Sequence, residues 1–207
     1  IFDCAKLLNF VLIKSEKQTN RMARICMIGA GNLATHLSQA FQKAGHVITQ
    51  VYSKTHNTAK SLAKKLGCSF INQLQDIAPC DIVIIAVKDD VISEVASQLN
   101  YPIAHTSGTK DLTVLGNGTN GVFYPLQTFS KDNPVDFDNI PICIEANNSD
   151  FLQLLNNLAT SISNNVHQLS SEQRKYLHLS AVVACNFSNL MYQMATEICE
   201  KHNILSL

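Results

Sequence analysis

Lys175, His178, Val182, Asn186 and Asn189 follow one another at spacings of three, four, four and three residues. On an α-helix those offsets gather the side chains into one sector. An ammonium or imidazole placed there can donate a proton, and an asparagine amide can orient a substrate. The alternative is a solvent-facing stripe, for which asparagine is a poor choice because its helix propensity is low. Lys175 and His178 are therefore candidate proton donors, and Asn186 is a candidate for orienting substrate. His105 and Ser107 form a second group, in the run His105-Thr-Ser-Gly108 that follows a short apolar segment. An imidazole at the carboxyl end of a strand can relay a proton during carbonyl or imine reduction. It can equally cap the strand by bonding to backbone, with Ser107-Gly108 as a turn, and the sequence leaves both readings open. Tyr124 and Gln127 form a third group, within Phe123-Tyr-Pro-Leu-Gln-Thr-Phe-Ser130. They read either as substrate contacts or as part of an aromatic core strand. Pro125 in that run predicts an edge or a bend.

These segments need a frame, and Arg24-Ile-Cys-Met-Ile-Gly29-Ala-Gly31-Asn32-Leu33-Ala34 supplies its first part. A short apolar run ends in Gly-x-Gly and passes directly into a helical pattern, with Gly45 as its stop. Strand, glycine turn and helix are the context of a dinucleotide fingerprint. Gly29 permits the tight turn, Gly31 lets backbone approach a pyrophosphate, and Asn32 and Leu33 open the helix whose N–H groups face the negative charge. An NAD site places an acid about 20 residues further on. Here that position reads Tyr52-Ser53-Lys54-Thr55, without a carboxylate. Hydroxyls and a cation suit a 2′-phosphate, so Ser53, Lys54 and Thr55 predict NADP over NAD. Val87 and Lys88, at the end of the apolar run from Asp81, are expected beside the same cofactor.

The remaining pattern alternates strand and helix. Strands are expected at 47–52, 68–71, 81–87, 103–105, 121–128, 140–145 and 165–169. Helices are expected after the glycine turn, over the run with Ala59, Leu62, Ala63 and Leu66 that stops at Gly67, from the N-caps Asp89 and Asp90 through Leu99, and over 150–161. This is the α/β signature of a doubly wound, mostly parallel Rossmann sheet. From Ser171 the pattern is purely helical. The expected division is residues 22–169 as the dinucleotide-binding domain and 170–207 as the start of an all-α C-terminal domain. Residues 1–21 are expected to be a non-domain extension ahead of Met22, and the helical unit is expected to be incomplete.

The formal net charge of the 207 residues is zero, which gives no electrostatic case for nucleic acid or an anionic membrane. No apolar run approaches the roughly 18 residues that span a bilayer. The cysteines lack C-x-x-C spacing, so a metal site is not expected, and free thiols in a reducing cytoplasm are.

Four motifs in order, Gly29-Ala-Gly-Asn-Leu-Ala34, His105-Thr-Ser-Gly108, Tyr124-Pro-Leu-Gln-Thr-Phe-Ser130, and Leu177-His-Leu-Ser-Ala181 with Asn186-Phe187, resemble one family from about Met22 onward. These are bacterial proteins that join a Rossmann-like domain to an all-helical C-terminal domain of unknown function and are assigned as NADP oxidoreductases. Wider relatives are pyrroline-5-carboxylate reductase, 6-phosphogluconate dehydrogenase and the β-hydroxyacid dehydrogenases. The resemblance implies hydride transfer between NADP(H) and a small polar carbonyl, hydroxy acid or imine. It also implies a homodimer of the full-length parent, because helical domains of the wider group pair two subunits and complete the crevice. The β-hydroxyacid dehydrogenases carry a catalytic lysine with asparagine four residues later. Lys175 is followed at that spacing by Leu179, so their lysine mechanism does not transfer, and His178 with Asn186 is expected to replace it. A non-catalytic dinucleotide-binding regulator remains the alternative, because fold does not fix function.

Overall fold

Alternate residues of a strand point to opposite faces of a sheet, and the central strands here are apolar on both. In β1 (Arg24–Ile28), Ile25 and Met27 join one core while Cys26 and Ile28 join the other. In β4 (Ile82–Ile85), Ile82 and Ile84 divide in the same way from Val83 and Ile85, and all four are fully buried. The first core is closed by α1 (Asn32–Lys43), α2 (His56–Leu66) and α4 (Ser149–Ile162), the second by α3 (Ile92–Ala96) and the turn Leu112–Leu115. The computed structural model describes residues 22–130, 133 and 135–204. The expectations for residues 1–21 lie outside the described residues.

The remaining strands are β2 (Val47–Tyr52), β3 (Ser69–Ile71), β5 (Ile103–His105), β6 (Asn120–Pro125), β7 (Ile142–Ala146) and β8 (Val166–Gln168). They form one sheet of eight strands in the order β3-β2-β1-β4-β5-β6-β7-β8. Every neighbouring pair is parallel except β6 with β7. This is the doubly wound, mostly parallel Rossmann sheet that the sequence predicts. The strand order reverses between β1 and β4, so the carboxyl ends of these strands frame a crevice. Gly67, at φ +66°, closes α2 as expected.

Two local expectations need correction. Pro125 is not on an edge: β6 lies between β5 and β7, and Pro125 is its last residue, paired only with Ile142 after β5 has ended opposite Val122. Asp89 and Asp90 do not cap a long helix. They begin a 3-10 turn, Asp89–Val91, ahead of the five-residue α3. Five cysteines, Cys26, Cys68, Cys80, Cys143 and Cys199, are free thiols. Burial pushes the Cys26 and Cys143 thiols up to about 12, so they are inert apolar filling. Cys185 is not among the free thiols, and Cys4 lies outside the described residues.

The C-terminal unit is α5 (Ser171–Val182), a π-helical turn at Val183–Phe187, and α6 (Ser188–Lys201). Its start is fixed by a reciprocal capping box, in which Ser170 Oγ accepts from Gln173 N–H and Gln173 Oε1 accepts from Ser170 N–H.

Candidate active site

At the first crossover the backbone itself builds the site. Gly29 sits at φ +117°, its N–H donates to Tyr52 O at 2.8 Å, and an added Cβ would stand 2.1 Å from Ala86 O. Only glycine fits there. Gly31 is the N-cap of α1, and a Cβ there would meet nothing within 4 Å. No side chain caps this helix and its first turn carries no acid, so among the described residues its leading N–H groups have no side-chain acceptor. That is the chemistry of an anion site, and it fits a dinucleotide pyrophosphate. Leu33 packs partly against the core behind the turn. Asn32 turns its amide elsewhere, donating from Nδ2 to Phe129 O at 3.0 Å.

Beyond Tyr52 the chain passes Ser53, Lys54 and Thr55 into α2. Ser53 Oγ lies 3.2 Å from Thr58 Oγ1 and accepts from Thr55 N–H at 3.4 Å, which makes a polar turn. Lys54 is exposed and forms no ion pair among the described residues. Val87 packs on the second core, and Lys88 is exposed ahead of the 3-10 turn.

The other corner, at the ends of β5 and β6, is filled with its own polar contacts. His105 is fully buried. Its Nδ1 accepts from Ser107 N–H at 3.1 Å, and Nε2 has no hydrogen-bond partner among the described residues. Burial, reinforced by the nearby Arg174 charge, pushes its pKa down to about 4. His105 is thus a neutral ring that shapes the turn, as the strand-capping reading has it. Ser107 Oγ donates to Asp89 Oδ2 at 2.8 Å and accepts from Thr109 and Lys110 N–H groups. Thr109 Oγ1 donates to the same Asp89 oxygen at 2.5 Å.

Above that turn, Tyr124 Oη and His178 Nδ1 stand 2.8 Å apart, with the rings edge-on. Burial drives the Tyr124 phenol well above its ordinary pKa, so it stays protonated. Gly108 makes this pair possible: a Cβ there would lie 2.7 Å from both His178 Nδ1 and Tyr124 Cζ.

The structure therefore gathers Ser107, Tyr124 and His178, with His105 behind them, and disperses the rest of the predicted stripe. Lys175 Nζ faces Asp111 Oδ2 at 3.6 Å, with both side chains largely in solvent. Asn186 and Asn189 are exposed. No residue from Val183 to Lys201 is buried, so every face of this stretch is open, and the π turn at Val183–Phe187 also breaks the regular period of the stripe. Gln127 is exposed, its Oε1 accepting from Thr128 N–H at 2.8 Å.

Sequence reasoning missed Arg174, and read Asp89 only as a helix cap and Gly108 only as part of a turn. Arg174 is 1% exposed. Its guanidinium donates to Glu145 Oε2 and to Lys110 O at 2.5 Å each, and to Ser171 Oγ at 3.1 Å. Glu145 also accepts from Ser171 N–H and Oγ. This cluster pins the first turn of α5 to β7 and to the Ser107–Asp111 loop, and so sets His178 against Tyr124. Nothing near Arg174 in the chain signals it, because Glu145 is 29 residues away. Gly108, by contrast, was visible as a glycine after a strand.

Comparison with known proteins agrees with this geometry. Residues 24–107 match the family described as NADP oxidoreductase coenzyme F420-dependent, and residues 140–206 match a domain of unknown function, DUF2520. No curated protein matches the chain. A crystal structure from Bacteroides fragilis, described as a "putative NADP oxidoreductase", shares 38% identity at a TM-score of 0.79, over 88% of this chain and 74% of its own. Two others share the fold. A pyrroline-5-carboxylate reductase from Coxiella burnetii is 16% identical at a TM-score of 0.66, over 89% of this chain and 73% of its own. An imine reductase from Myxococcus stipitatus, in complex with NADP+, is 14% identical at a TM-score of 0.68, over 87% and 67%. The chain belongs to the family of NADP oxidoreductases in which a Rossmann-type nucleotide-binding domain is followed by this helical domain of unknown function.

Proposed function

We propose that this oxidoreductase uses NADP(H) and transfers a hydride to or from a small polar carbonyl, hydroxy acid or imine. The observation that carries the reading is the pair of adjoining features at the first crossover. One is a helix N-terminus with no side-chain cap behind a turn where only glycine fits, and the other is a β2 end that offers Ser53, Lys54 and Thr55 without an acid. When bound, the dinucleotide supplies the hydride. The chain supplies orientation and the proton. Tyr124, kept protonated by burial, shares a hydrogen bond with His178 Nδ1 at 2.8 Å, which positions the imidazole. His178 is half-buried and is the proton donor of this reading.

Calorimetric titration with NADPH and NADH tests it. NADPH should bind at micromolar strength and clearly more tightly than NADH. Lys54→Ala should weaken NADPH about tenfold, the cost of one charge-assisted contact, and leave NADH nearly unchanged. Tighter binding of NADH would refute the NADP assignment.

The partner in this reading is a second copy of the chain. Tyr176 and Leu179 on α5, and Leu190, Met194 and Ile198 on α6, recur at three- and four-residue steps on either side of the π turn, all between 46% and 65% exposed. Exposed apolar faces on both helices support a helix–helix contact. Light scattering of the purified chain should report a dimer, and Leu190→Glu should return it to monomer. No helix among the described residues is long and apolar enough to cross a membrane. The free thiols Cys26, Cys68, Cys80, Cys143 and Cys199 support the reading that the enzyme works in the cytoplasm.

A further inference from the structure

Residues 127–130 connect the two corners, and two side chains outside the proposed chemistry tie them down. The segment leaves the end of β6 just after Tyr124 and runs to the first turns of α1. There Asn32 Nδ2 donates to Phe129 O at 3.0 Å, and His36 Nε2 lies 2.8 Å from Ser130 O. A carbonyl only accepts, so Nε2 is the protonated nitrogen of His36. The His36 ring also packs on Phe129 at a centroid distance of 5.8 Å, and Phe129 stacks at the same distance on the buried Phe137. Asn32 and His36 are one helical turn apart and so share a face of α1. Among the described residues the segment has few other hydrogen bonds. Leu126 N–H makes the last bond to the sheet side, to Pro141 O, and the next amides bond only locally, Gln127 to Pro125 O and Thr128 to Gln127 Oε1.

We propose that Asn32 and His36 form a latch. They are positioning residues that hold 127–130 against the turn that receives the dinucleotide, so that occupancy of the turn is transmitted to the segment beside Tyr124. The latch stands on its own contacts, and only the transmission rests on the dinucleotide reading above. Asn32 is the first residue of α1, so a ligand that orders the leading N–H groups of the helix orders the residue that grips Phe129.

Hydrogen exchange read by mass spectrometry tests both parts. His36→Leu removes the donor and keeps the bulk, and His36→Gln returns an N–H near the position of Nε2. Amide exchange across 127–130 should rise about tenfold in His36→Leu and fall back in His36→Gln, a loss of one local bond. Peptides from β1 and β4 should be unchanged, which reports that the variant is folded. Asn32→Ala should loosen the same segment by the other route, should His36→Leu not fold. NADPH should slow exchange across 127–130 in the unsubstituted chain and fail to do so in His36→Leu. Equal exchange in the unsubstituted chain, His36→Leu and Asn32→Ala would overturn the latch. Equal slowing by NADPH with and without His36 would overturn the transmission. If NADPH does not bind the unsubstituted chain, the dinucleotide reading fails and the transmission with it, while exchange without nucleotide still decides the latch.

Discussion

The two corners of the crevice solve opposite problems. At the ends of β5 and β6 the protein supplies both halves of nearly every polar contact: Asp89 with Ser107 and Thr109, Glu145 with Arg174 and Ser171, Tyr124 with His178. At the ends of β1 and β2 it supplies donors and withholds the acceptors. The α1 terminus has no side-chain cap, and the turn after β2 has no carboxylate. A buried group without a partner is costly, so a site that must hold its own side chains in place is closed by a network. A site meant for an anion keeps its donors in hand. The glycines do not divide by corner: Gly29 and Gly108, one at each, are demanded by the protein's own atoms, and Gly31 is not.

Substitutions sharpen that contrast, and their expected effects fall in a clear order. Gly29→Ala places Cβ against the Ala86 carbonyl at a positive φ. It should cost more than about 4 kcal/mol and leave the chain unfolded in thermal melts. Arg174→Met strands the Glu145 carboxylate and should cost about 3 kcal/mol in urea unfolding. Adding Glu145→Gln should recover more than half of it, and no recovery would show that Arg174 acts by packing alone.

The acid limb of stability comes next. His105 titrates near 4 when folded against an ordinary 6.5, so between these values the unfolded chain binds more protons. Stability is complete above the unfolded value and falls as pH drops through the window. From pH 7 to pH 5 the loss should be on the order of 2 kcal/mol. Burial also depresses His46 and His167, which steepens the same limb. His105→Asn, which keeps an acceptor for Ser107 N–H, should flatten it by about that amount in paired unfolding curves.

Gly108→Ala should cost about 1–2 kcal/mol by overpacking. It should also shift the imidazole nitrogen resonances of His178 as the ring is pushed off Tyr124. An unshifted spectrum would break the claim that Gly108 admits the pair. Gly31→Ala meets nothing, so stability should change by less than about 0.5 kcal/mol. Its effect should appear only in NADPH titration, and a large stability loss would blur the line between the corners.

The first corner was legible in the sequence and the second only in part. Gly29 and Gly31 stand in one segment and the acid-free Ser53–Thr55 in another, and each signals through a backbone need or a charge that its own segment displays. His178 and Tyr124 were each flagged, on a helical stripe and on a strand, but nothing in the chain says that they touch. Arg174 escaped because its partners come from β7 and the loop before Leu112, which only tertiary structure brings together. Asn186 was misplaced for a different reason. Counting by 3.6 presumes an unbroken helix, and a π turn carries no strong sequence mark. Asp89 looked like a cap because acids precede helices, yet α3 is too short to compete with the hydroxyls of Ser107 and Thr109.

The π turn at Val183–Phe187 behaves as a phase shifter. An extra residue in one turn lets everything beyond it lag by roughly 100° about the axis. The setting of α5 is locked by Arg174. A one-residue deletion inside the turn would remove the extra residue and the lag together, so His178, Leu190, Met194 and Ile198 would all keep their azimuth. A lineage that lost or gained that residue would keep both its chemistry and the surface that α6 shows to its neighbours.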